Sequence, residues 1–166
     1  MPKKISMYVL LMVIVGVLLN HFSFSQKENG WLLNVDGREV DAIGMAQEKW
    51  VQLTRNCTQV KQLDAKSESY LAVQKLIQEY SPPNSESAHI VQLLAQQDWY
   101  LAEVEFKELL PAVVLMDTDQ GHPRMVPHAI WSGETHPWLA APFIRKYLSS
   151  QAPQSPRQLL ACFDPL

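Results

Sequence analysis

The chain is poor in the features that usually announce chemistry. Its six glycines are dispersed over 166 residues, and no Gly-rich loop able to cradle a phosphate is present. Ser132-Gly133 lacks the G-x-S-x-G elbow of a serine nucleophile. The two cysteines have no C-x-x-C spacing. Basic charge is scarce too: 14 Lys and Arg stand against 17 Asp and Glu, a net charge of −3 that becomes −5 when Lys3 and Lys4 are set aside. A nucleic-acid partner would require a basic face, so that class of partner is excluded, as is polybasic attachment to an anionic membrane surface. No internal repeat is visible.

One long apolar run is present. Pro2-Lys3-Lys4 precedes Ile5 to Leu19, after which come Asn20, His21, Phe22, Ser23, Phe24 and Ser25. A positive flank ahead of an apolar helix is held on the cytoplasmic side, so the following chain is expected to be exported. Fifteen helical residues reach only about 22 Å, short of the roughly 30 Å hydrocarbon core; extension through Phe24 makes the span. Residues 1–25 are therefore read as a signal-anchor, contacting the membrane through residues 5–24, with the main domain in the periplasm or at the cell exterior. The alternative is a signal peptide cleaved before Gln26, with Ser23 and Ser25 at the small-residue positions and a secreted product. Residues 26–30 read as a polar linker, and 31–166 as one domain.

Both cysteines, Cys57 and Cys162, fall in the exported part. An even count in an oxidising compartment predicts a disulfide bond between them. The sequon Asn56-Cys57-Thr58 carries little weight, because a bridged middle residue makes a poor acceptor.

The periodicities predict an α+β fold: the N-terminal membrane or signal helix, then helices plus an antiparallel sheet of at least three strands, and short C-terminal helices. Asp36-Gly37 predicts a hairpin turn. Ile43, Ala46, Trp50, Leu53, Cys57 and Val60 recur at steps of three and four, predicting a helix capped by Asp41 with this stripe facing inward. Tyr70, Val73, Ile77 and Tyr80 mark a second helix ended by Ser81-Pro82-Pro83-Asn84, and Ser85 to Gln97 reads as a third. Tyr100 to Lys107 alternates as a half-buried strand with a charged outer face. Ala112 to Met116 and Met125 to Trp131 complete a meander, with Pro127 marking a bulge or an edge. A helix from Ala141 to Ser149 and a short terminal one, capped by Ser155 with Pro156 at its first position, close the chain.

The only dense group of functional side chains is Asp117, Asp119, His122, Arg124, His128, Glu134 and His136. Imidazoles and carboxylates suit zinc or acid–base work, but the spacing matches no zinc pattern and two of the histidines precede proline. The expectation is dispersed histidines, with neither a metal nor a cofactor. The five tryptophans are expected to fill a small core, an exposed binding surface being the alternative. These absences point to a non-catalytic exported or membrane-anchored domain, a protein-binding or accessory component of an envelope assembly. The alternative is an exported metal-dependent hydrolase working through His122, His128 and His136 with Asp117, Asp119 or Glu134. A small-ligand binder would need a concave, aromatic-lined pocket.

Overall fold

The computed structural model describes residues 2–165, and the side chains of all of these but 2–6, 8, 9 and 17–19. The Lys3-Lys4 flank and part of the apolar run therefore lie outside the described side chains. The architecture is α+β, with five α-helices and two antiparallel sheets of three and five strands among the described residues.

Helix α1 (Pro2–His21) passes without a connection into β1 (Phe22–Lys27), which pairs with β2 (Gly30–Val35) and through it with β3 (Arg38–Val40). Gln26 to Gly30, expected as a linker, is instead the end of β1, a two-residue turn and the first residue of β2. The Asp36-Gly37 hairpin is as expected: both residues have positive φ (50° and 83°), as a type I′ turn demands. Among the described residues no helix is long and apolar enough to cross a membrane, so the membrane-crossing part of the expectation rests on the sequence alone.

Helix α2 (Ala42–Thr54) follows, then the two-residue strand β4 (Lys61–Gln62) and α3 (Glu68–Gln78), which is capped by Ser67. The expected third helix is absent. A 3₁₀ turn, Asn84–Ser87, leads into β5 (His89–Gln96). The physical reason is a bulge. β5 advances from Ile90 to Gln92 while β6 (Trp99–Glu105) moves only from Val104 to Glu103. The extra residue puts Ile90 and Leu93, three apart, on one face, and so imitates a helical period.

β6, β7 (Ala112–Asp119) and β8 (His122–Ser132) form the expected three-strand meander, which β5 and then β4 extend on the other side. Its two faces are both covered. Tyr70, Val73 and Ile77 of α3 pack on Ile90, Ala102, Val104 and Val114. Ile144 and Leu148 of α4 (Ala140–Gln151), with Leu159 and Leu160 of α5 (Arg157–Ala161), pack on Leu94, Leu101, Val113 and Leu115. The charged outer face expected for β6 is therefore wrong: Leu101 is fully buried and Glu103 nearly so. Each fully buried leucine contributes roughly 1.5–3 kcal/mol of apolar burial, which is why the three-layered part dominates the fold.

Pro127 marks both a bulge and an edge. β8 runs from Ile130 back to Met125 while edge-paired β7 advances only from Val114 to Met116. His128 sits in that bulge with φ 64°, and its carbonyl accepts a hydrogen bond from the Tyr147 hydroxyl (3.0 Å). At the end of the chain Ser155 does not cap α5. Its hydroxyl donates to the Ala152 carbonyl (2.8 Å), and Pro156 takes the cap position.

Candidate functional site

Helix α2 is turned inside out relative to its sequence pattern. Asp41, Glu48 and Arg55 are spaced seven apart, so they share one side of the helix. Asp41 accepts from the Gly44 N–H (2.7 Å) as the N-cap and from the Leu139 N–H (3.1 Å) at the start of α4. Glu48, buried, accepts from Arg145 Nη1 (2.6 Å) and from Gln52 Nε2 (2.9 Å). Arg55, just past the helix, donates to Asp164 Oδ1 (2.7 Å) and to the Ala161 carbonyl (3.3 Å). Polar groups thus hold α2 against α4 and the chain end along its whole length.

Charge reinforces this edge. Arg145 Nη2 also donates to the Phe163 carbonyl and to Asp164 Oδ1 (3.2 Å). The hydrogen bond from Arg55 holds the Asp164 carboxyl below the usual carboxylate range, burial opposing it and the two arginine charges assisting. The same bond raises the Arg55 guanidinium. The Cys57–Cys162 disulfide closes the edge covalently, with Cα atoms 5.8 Å apart across a sequence separation of 105. Cys57 lies in the loop beyond α2 rather than on an inward helix stripe.

The opposite side of α2 faces solvent. Ile43, Trp50 and Leu53 are 53 %, 69 % and 82 % exposed. The stripe expected to face the core is the uncovered one. A sequence period shows which residues share a face, but not whether that face is covered. The signal that could have identified the inward side was the heptad of Asp41, Glu48 and Arg55, whose charges all find partners.

The histidine-rich segment is spread along β8 and the following loop. His122 begins β8, His128 occupies its bulge, and His136 lies beyond its end. Asp117 and Asp119 are engaged by Arg124, at 2.8 and 3.7 Å. The hydrogen bond to Asp117 raises the Arg124 guanidinium. Among the described residues no group of three His, Cys, Asp or Glu side chains could hold a metal. Glu134 and His136 line a cleft of about 340 Å³ with Trp131, Ala140 and Ile144; His122 and His128 do not.

None of the five tryptophans is fully buried. Trp99 and Trp131 pack at the margin of the α4–α5 core, and Trp31 and Trp50 are exposed. A second cleft, about 450 Å³, opens between the end of α3 and the meander. Tyr80, Phe106, Leu109, Leu110, Met125 and Ile130 line it. Comparison with protein-family models, with curated proteins and with solved structures finds no match.

Proposed function

We propose that the chain is a non-catalytic exported domain, held at the membrane by α1, that docks a protein partner on the outward face of α2. The inversion of α2 carries this reading. A helix held by three polar anchors leaves Ile43, Trp50 and Leu53 in water for no benefit to the fold. Exposed Trp beside aliphatic residues is the composition of a binding hot spot.

Two observations support the location. The Cys57–Cys162 bond suits an oxidising compartment. The described apolar side chains of α1, Met7 and Leu10 to Val15, are all exposed, which is untenable for a core helix and suits lipid. Cleavage before Gln26 would remove Phe22 to Ser25, the part of β1 that pairs with Leu32 to Val35. The retained anchor is therefore the favoured form.

A photo-crosslinking residue at position 50 of the full chain, in its own cell envelope, should give a discrete adduct that Leu53→Glu abolishes. The same residue in place of exposed Lys75 on α3 should give none. A position-50 chain that stays uncrosslinked would refute the proposal; an adduct of twice the chain mass would make a second copy the partner. A second reading, binding of a small apolar ligand, is favoured by the cleft between Tyr80, Phe106 and Met125, whose size and lining suit such a ligand.

A further inference from the structure

We infer that the small N-terminal sheet lies flat on the bilayer with its aromatic face against the lipid; this rests on the anchor reading of α1 given above. Directly opposed residues of an antiparallel sheet share a face. One face therefore carries Phe22 with Val35, Phe24 with Leu33 and Val40, and Gln26 with Trp31. The other carries Ser25 with Leu32, and Lys27 with Gly30.

The domain covers only the second face. Leu32 is completely buried there, beside α2, and Trp138 lies against the side of Gly30 where a Cβ would stand. The first face has Phe24 72 %, Trp31 49 % and Phe22 41 % exposed, in an unbroken apolar row with Leu33, Val35 and Val40. A sheet with one face on its own domain and an aromatic opposite face is built to lie between two bodies.

Continuity with α1 identifies the second body. No residue separates His21 from Phe22. The junction is also clamped: the Asp36 N–H donates to the His21 carbonyl (3.1 Å), and His21 Nδ1 is hydrogen-bonded to the Asp36 carboxylate. The hairpin tip is thereby fastened to the helix end. Phenylalanine and tryptophan at that depth match the aromatic belt of membrane interfaces. Arg38, opposite Val35 on the same face, places a cation where headgroup phosphates lie.

The test uses the full chain in phosphatidylcholine vesicles that contain a photoactivatable acyl chain, with flotation and residue-level mapping of adducts. The expected result is co-flotation, with label on Phe24, Trp31 and Leu33 as well as α1, and none on Ile43 to Leu53. Phe24→Asp should still float but lose the label at Trp31, at the far end of the sheet from the anchor. A chain that floats with label on α1 alone overturns this inference and leaves the anchor standing. A chain that does not float overturns the anchor reading and this one with it. Label spread evenly over α2 and the sheet would likewise overturn it.

Discussion

Glu48 of α2 and Arg145 of α4 meet at 2.6 Å with both side chains almost fully shielded from water. This is the one ion pair at the α2–α4 contact whose two partners are both buried among the described residues. Removing one partner strands the other charge, a cost of about 3–5 kcal/mol. Arg145→Met should lower stability by that amount in denaturant unfolding. Glu48→Leu combined with Arg145→Met should recover part of it but not all, because the Phe163 carbonyl also loses its donor. Equal losses in the single and double variants would contradict the pairing.

Asp164 makes stability depend on acid pH. Its folded pKa lies below the unfolded value, so its contribution is complete above the unfolded pKa of about 3.9 and is lost as pH falls through the lower folded value. The carboxylate is half exposed, so solvent screening limits the ion pair to about 0.2–1 kcal/mol. Asp164→Asn should therefore cost up to about 1 kcal/mol at pH 7, and the difference from the parent chain should shrink below the carboxylate range. A difference that persists unchanged in strong acid would show that Asp164 acts through something other than its charge.

His128 is held at φ 64° in the β8 bulge, a conformation costing about 1–2 kcal/mol for a residue with a Cβ. His128→Gly should be neutral or stabilising by up to about 1 kcal/mol, since the backbone shape, not the imidazole, is what the bulge uses. A destabilised His128→Gly chain would restore a structural or binding role to the ring.

The Cys57–Cys162 bond encloses a loop of 105 residues. The chain-entropy model assigns such a loop about 4–5 kcal/mol. Replacing both cysteines with Ala should cost up to that amount, read as a shift of the urea midpoint at constant slope. An unchanged midpoint would mean that polar contacts such as Arg55 to Asp164 suffice.

Trp50→Ser and Leu53→Ser should each change stability by no more than about 0.5 kcal/mol, as exposed positions do. A loss of several kcal/mol in thermal unfolding would show that this face is covered within the folded chain.

Much of the fold was legible because local rules agreed with the final packing. Asp36-Gly37 specifies its turn whatever surrounds it. Tyr70, Val73 and Ile77 face the sheet as their spacing implies. The cysteine pair followed from the even number of cysteines and an expected oxidising compartment. What stayed illegible depended on distant partners. The bulge at Ile90 exists only against β6. The orientation of α2 depends on Arg145 and Leu139, about 100 positions away along the chain. The charged segment from Asp117 to His136 drew attention through proximity in sequence, and an extended strand separates what proximity suggested.

The position of Cys162 sets an order of events. The ring it closes with Cys57 surrounds α3 and every strand of the meander. Those strands are joined by short hairpins and can pair as soon as each is made, whereas the bond must wait for Cys162, which follows all of them in the chain. Oxidation therefore acts as a final latch on a sheet already assembled. The fraction of chains carrying the bond would report completed folding, a quantity readable from the mobility of unreduced protein on a gel.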